Sequence, residues 1–309
     1  MSPADATRDA PRPAPPPYRQ LVFSGGGTRC FWHGGFMSVA RERLAPAPER
    51  IACVSGGVLS ATTFVTRRGR RLLDVMAKTF ERQDANVSWH DLVEGTGLTP
   101  HQSLYRDVVE RVLGDREAQE AVAEGPALQV ILAHPPGGDG LARVTGALAS
   151  LAYEAELHLL SRPDLEWAEA AGLAVSRVDA REAARQGRLV DLVCAAAVIP
   201  PIFDPPFWDG RPVVDAGMAG HAPRPDPDEG PTLVLATRIY RRWPEDGRTY
   251  VGPSEAVPAD KIDFTDPGKI RRTWECGEAD ARRFLAQLDP DHPARPEDDH
   301  RTNQGGESA

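Results

Sequence analysis

Two short stretches carry residue types that could do chemistry together. In Leu21-Val22-Phe23-Ser24-Gly25-Gly26-Gly27-Thr28-Arg29 an apolar, β-prone run stops at three glycines, and an amphipathic pattern starts near Phe31. A strand, a turn too tight for side chains and a helix opening follow from that order. Bare backbone amides beside a helix N-terminus suit a developing negative charge. In Cys53-Val54-Ser55-Gly56-Gly57 the geometry repeats, with a serine at the turn. A serine perched between strand and helix presents its hydroxyl at the sheet edge as a nucleophile elbow. A serine hydroxyl is a weak nucleophile and needs a base and an oxyanion acceptor. The Gly56 amide and, if the two strands are neighbours, those of Gly25, Gly26 and Gly27 would supply the second. The first is best sought in Arg211-Pro212-Val213-Val214-Asp215-Ala216-Gly217, where Asp215 ends a short β-prone run and would reach the same rim.

The elements that must position these groups alternate. Residues 20–81 read as strand, glycine turn, helix, strand, serine turn, helix, the order of a parallel sheet with crossover helices. Leu72, Leu73, Met76 and Phe80 share one helical face. Further helices are expected over residues 103–113, 141–160, 189–197 and 280–288, and strands over 128–133, 173–178, 211–214 and 232–237. The expected fold class is therefore α/β, one domain with a central, mostly parallel sheet and helices on both faces. Residues 1–18, rich in Pro and Ala, read as a disordered leader, 19–288 as the domain and 289–309 as a flexible tail.

Composition removes several functions. A net charge of −9 over 309 residues disfavours nucleic acid as a partner. The four cysteines, Cys30, Cys53, Cys194 and Cys276, lack metal-ligand spacing, so no zinc site or disulfide framework is expected, and a reducing, cytoplasmic setting fits. The longest apolar stretch, residues 189–203, is too short to span a bilayer. Gly25-x-Gly27-x-x-Cys30 misses the dinucleotide fingerprint at its last glycine. Glu42 and Glu49 fall in the window for a ribose partner, but that reading leaves Ser55 and Asp215 unexplained.

With the glycine loop, the serine elbow some thirty residues later and Asp215-Ala216-Gly217 in this order, the sequence resembles the patatin-like phospholipases over roughly residues 20–223. The stretch Cys194-Ala195-Ala196-Ala197-Val198-Ile199-Pro200 imitates the small-residue helix and proline turn before that family's third motif. The resemblance implies an α/β acyl hydrolase of lipid esters with a Ser–Asp dyad. Ser55 would be the nucleophile and Asp215 the general base. Gly25, Gly26 and Gly27 would form the oxyanion loop, with Gly56 behind the serine. Arg29 would fix that loop or add positive charge. No metal or organic cofactor is implied, and the partner is a lipid or membrane surface.

The chain departs from the family at Cys53 and Cys30, where glycine is usual, at Ala216 after the aspartate, and at His221, where asparagine is frequent. If Cys30 and Cys53 lie close, their oxidation could lock the site, which makes a weakened or redox-gated lipid- or partner-binding relative the alternative. Against the dyad stand two plainer readings, Ser55 as a helix N-cap and Asp215 as a turn residue. His221 is read as a loop or cap residue and not as a triad member, and His33 as a residue of the first helical turn. The apolar residues Ala195, Ala196, Ala197, Ile199, Ile202, Phe203, Phe207 and Trp208 would line an acyl channel, dip into a lipid interface or pack the core, with Trp208 the most exposed.

Overall fold

The computed structural model describes residues 18–82, 100–134, 174–197, 206–216, 222–239, 247–260 and 263–288. The expected helix over 141–160, residues 1–17 of the leader, the tail after Leu288, residues 198–205 of the apolar run and His221 lie outside them; Tyr18, assigned to the leader, is buried and donates its amide to the Leu44 carbonyl over 3.2 Å.

The apolar, β-branched runs form a six-stranded sheet. Its strands are β1 (Gln20–Phe23), β2 (Arg50–Val54), β3 (Ala127–His134), β4 (Ala174–Asp179) and, after the small hairpin described below, β7 (Thr232–Leu235) and β8 (Thr249–Val251). Their order is β4-β3-β2-β1-β7-β8, parallel throughout except for the β3–β4 pair. β1 to β3 run one way across the sheet and β7 lies on the other side of β1, so the order reverses there. In open α/β sheets the crevice beyond the strand ends at such a reversal is where ligands bind. The antiparallel β4 closes one edge with Arg177 and Asp179, charged side chains that discourage further strand pairing.

Alternation along the strands divides the apolar residues between the two faces. Leu21, Phe23, Ile51, Cys53, Leu128, Val130, Leu233 and Leu235 join the main core. Val22, Ala52 and Val234 face the other way, into a small cluster with Ala222 and Tyr250.

The sheet is flanked by helices α1 (Phe31–Leu44), α2 (Gly56–Val65), α3 (Gly69–Phe80), α4 (Pro100–Leu113), α5 (Arg116–Ala123), α6 (Ala180–Arg185), α7 (Leu189–Ala196) and α8 (Pro267–Leu288). On α3 the apolar stripe works as expected, with Leu72, Leu73, Met76 and Phe80 all buried. α8 starts at Pro267, well before the expected residue 280. Gly268 and Gly277 make this stretch look broken in sequence, but Gly277 serves close packing: a Cβ there would overlap the carbonyl oxygen of Trp32 on α1. Beside it Trp32 stacks on Phe36, centroids 5.0 Å apart, and Trp32 Nε1 donates to Asp280 Oδ2 over 2.8 Å.

Two further expectations change. Residues 211–214 do not form a strand of the main sheet. Only Arg211–Pro212 (β6) is extended, paired antiparallel with Phe207–Trp208 (β5) in a hairpin. Pro212 lacks an amide donor, which suits so short an edge. Trp208 is buried, with the Arg188 guanidinium 4.0 Å above its ring, and its neighbour Phe207 is the exposed one at 69%. Alternation within the hairpin turns the two aromatic rings to opposite sides.

Candidate active site

Parallel register sets the two turns side by side. Phe23 on β1 pairs with Cys53 on β2, so the glycine loop and the serine elbow leave the same sheet edge as neighbours. β3 lies on the other flank of β2. Beyond its last pair with β2, Val54–Ile131, Val214 makes an antiparallel bridge to Ala133, with Val214 N–H donating to the Ala133 carbonyl over 2.9 Å. His134 secures the same segment from behind, its Nδ1 lying 3.0 Å from the Pro212 carbonyl and its Nε2 2.7 Å from Ser176 Oγ. Asp215 thus arrives at one side of the elbow and the glycines at the other.

The Ser55 hydroxyl donates to Asp215 Oδ2 over 2.7 Å, and both residues are buried at 1% exposure. Ser55 has φ 54° and ψ −138°, a conformation costly for a residue with a side chain. It occupies the N-cap position of α2, yet its side chain caps nothing. The plain N-cap reading fails because the hydroxyl is turned to the carboxylate. Behind it, a Cβ on Gly57 would overlap the carbonyls of Phe23 and Ser24, so the helix starts hard against β1.

The glycine loop is fitted onto this elbow. A Cβ on Gly56 would stand 2.9 Å from Gly27 O and 3.0 Å from Gly27 N, which shows how closely the two backbones approach. Gly27 has φ 57°, in the left-handed region that glycine enters without strain. Thr237, which belongs to none of the motifs, holds the loop: its Oγ1 donates to the Gly25 carbonyl over 2.6 Å. Because a trans peptide sets its C=O and N–H on opposite edges, the Gly26 N–H points away from Thr237. Further ties come from Ser60 Oγ, which donates to the Cys30 carbonyl over 3.2 Å, and from the Arg29 amide on Gly26 O at 3.2 Å. Arg29 is half-buried in a 3-10 turn spanning Gly27–Cys30, so its backbone helps to close the loop.

From Ser55 a narrow cavity of about 60 Å³ runs inward, walled by Leu59, Leu72, Met76, Tyr105, Phe264 and Trp274 among others. Its lining is almost wholly apolar. Of the alanines expected to line it, Ala197 does, whereas Ala195 and Ala196 pack in the core. Tyr105, on α4, is buried near Ser55 and Asp215. Burial first, then the neighbouring Cys194, Cys30 and Asp215, hold its phenol well above the ordinary range, so it stays protonated. Tyr105 and Trp274 lie far along the chain from every motif, and periodicity marks them only as core.

The geometry weighs on the other expectations too. Cys30 and Cys53 are in no disulfide, and their thiols turn to different carbonyls, Ser24 at 3.7 Å and Gln129 at 3.5 Å. Cys53 points into the core, so its side chain does not crowd the turn. Glu49 precedes β2, at the strand end away from the glycine loop, and is held by Arg19 at 2.7 and 2.8 Å, while Glu42 near the end of α1 faces Arg67 at 3.4 Å. His33 is fully buried against Phe23, with ring centroids 5.6 Å apart, and burial pulls its imidazole down to about 3, so it remains neutral.

A family model for patatin-like phospholipases matches residues 21–226, a span that holds the glycine loop, the elbow and Asp215. The chain belongs to the patatin-like phospholipase family. It is an enzyme of the hydrolase type, and its substrates are lipid-related. A solved structure, VipD from Legionella pneumophila, is similar at 11% identity and a TM-score of 0.49, over 88% of this chain and 67% of its own. No curated protein matches the chain. Among the described residues, no helix is long and apolar enough to cross a membrane.

Proposed function

We propose that this patatin-like protein cleaves lipid esters through an acyl-enzyme, with Ser55 as nucleophile and Asp215 as general base. The observation that carries this reading is the 2.7 Å hydrogen bond from the Ser55 hydroxyl to Asp215 Oδ2. No imidazole stands between them, so the proton moves directly. Asp215 takes it as Ser55 Oγ bonds to the ester carbonyl carbon. The backbone amides of Gly26, Gly27 and Gly56, with Gly25 in the same loop, receive the charge on the carbonyl oxygen. The first turn of α2 adds its own favourable dipole. As the C–O bond breaks, the leaving alcohol takes the proton from Asp215. Water then attacks the acyl-enzyme, gives its proton to Asp215, and releases the fatty acid and Ser55. Every proton is accounted for by one carboxylate, so no cofactor is required.

Apolar walls next to the nucleophile support an acyl chain as the group held, and the exposed Phe207 suits contact with a lipid surface. Four cysteines outside any disulfide fit a cytoplasmic setting, with access to lipid from the membrane surface. The test is a fluorophosphonate probe read by intact mass. Wild type should gain one phosphonyl group, and Ser55→Ala and Asp215→Asn should gain none in the same time. Labelling that persists in Ser55→Ala would move the nucleophile elsewhere.

A further inference from the structure

Behind the acyl cavity lies a second and much larger one, of about 630 Å³. The two share a wall: Gly34, Ser60, Thr63, Gly69 and Trp274 line both. Four of these are small, so the bulk of the partition is one indole. The six-membered ring of Trp274 lies against two glycines from different helices. A Cβ on Gly69 of α3 would come within 3.2 Å of its Cη2, and one on Gly34 of α1 would overlap Cζ3. Absent side chains on both helices are what admit the ring to this place. The indole is also held in orientation. Nε1 donates to Glu278 Oε1 over 2.6 Å, one turn further along α8, and the Arg70 guanidinium lies 5.3 Å from the ring centroid. Arg70 and Arg282 each face Glu278 at 3.8 Å, so the anchor is itself braced.

We propose that Trp274 is the floor of the acyl pocket and sets the length of chain that Ser55 accepts. The inference rests on Ser55 being the nucleophile. The pocket in front of the indole is small, about 60 Å³ against about 630 Å³ behind it. A short straight acyl chain fills it, and a longer one meets the ring. Beyond the ring the second cavity would take the rest of a long chain, were the partition removed. Its lining includes Arg41, Arg67, Arg70 and Arg282, which gives a chain end no reason to cross while the indole stands.

The experiment compares wild type, Trp274→Ala and Trp274→Phe on 4-nitrophenyl esters from butyrate to palmitate. Folding is checked by thermal melting, and Ser55 competence by a small fluorophosphonate. Wild type should favour butyrate and hexanoate, with kcat/KM falling about tenfold or more by dodecanoate. Trp274→Ala should move the optimum to decanoate or longer. Trp274→Phe, which keeps an aromatic ring in the core but loses the edge that meets Gly34 and Gly69, should fall between and decides the matter if the alanine variant does not fold. Variants that fold and label yet keep the wild-type length profile would overturn the ruler and leave the nucleophile standing. Absence of labelling in wild type would overturn both.

Discussion

The Thr237 hydroxyl donates to the Gly25 carbonyl over 2.6 Å, and a Cβ on Gly26 would stand 2.8 Å from Thr237 Cβ. A residue just past the end of β7 therefore fixes the Gly25–Gly26 peptide, whose amide is the proposed oxyanion donor. Loss of the hydroxyl frees that peptide to rotate without touching Ser55. Thr237→Val should lower kcat by about tenfold to a hundredfold, below the cost of deleting an oxyanion donor outright. KM should change little, since the acyl pocket is unaltered. Thr237→Ser should restore most of the rate. A valine variant with wild-type kcat would remove Thr237 from the machinery.

Asp215→Asn keeps the shape of the carboxylate and can still accept the Ser55 hydroxyl, but it cannot take the proton. We expect hydrolysis to fall by about a hundredfold to ten-thousandfold, the usual worth of a positioned base. Burying a carboxylate at 1% exposure works against folding, so the asparagine variant should melt at the wild-type temperature or above it. Calorimetry and ester hydrolysis on one preparation separate the two effects. A variant that loses stability and activity together would make Asp215 a structural residue.

How much of this could be read from the sequence depends on where each signal lies. The elbow and the glycine loop are local: strand, turn and helix follow one another within a few residues, and β1, α1, β2 and α2 fall where expected. Pairing between distant segments leaves weaker traces. Nothing near Asp215 announces that Val214 would bridge to Ala133, and β8 has only three residues to betray it. α8 was half-hidden because Gly277 breaks the helical pattern for the sake of a contact with Trp32, some 245 residues earlier. Trp274 and Thr237 carry no motif at all. Their roles come from what they touch.

Cys53 stands at the elbow as a buried core thiol in no disulfide. Its side chain is fully buried in the core, and burial pushes the thiol far above its ordinary range, so almost no thiolate forms near neutral pH. In the folded protein Cys53 should resist iodoacetamide until denaturant is added, while the half-buried Cys276 should react first. Cys53→Ala should label with a fluorophosphonate at a rate within about twofold of wild type, since the Cys53 side chain points into the core and away from the Ser55 hydroxyl. A peroxide-induced loss of labelling that dithiothreitol reverses, and that Cys53→Ala abolishes, would reinstate redox gating.

Asp280 gives the fold a pH dependence of predictable sign. Burial opposes its charge, but hydrogen bonds from Trp32 Nε1, the Arg283 guanidinium and Ser254 outweigh that and hold its carboxyl below the usual carboxylate range. A depressed value in the folded state means that the unfolded chain binds the proton more readily. The stabilisation is therefore present in full above the unfolded value of about 4 and is lost as pH falls through the lower, folded one. Asp280→Asn retains an acceptor for Trp32 but loses the charge. At pH 7 the variant should be less stable by about 1.5–3 kcal/mol, the range for hydrogen bonds to a charged group. Wild type and variant should converge as the carboxyl protonates below pH 4, because a neutral Asp280 offers little more than asparagine does. Urea unfolding followed by tryptophan fluorescence at pH 7, 5, 4 and 3 measures the gap. A gap that stays constant across this range would mean that the charge of Asp280 contributes nothing to the α1–α8 contact.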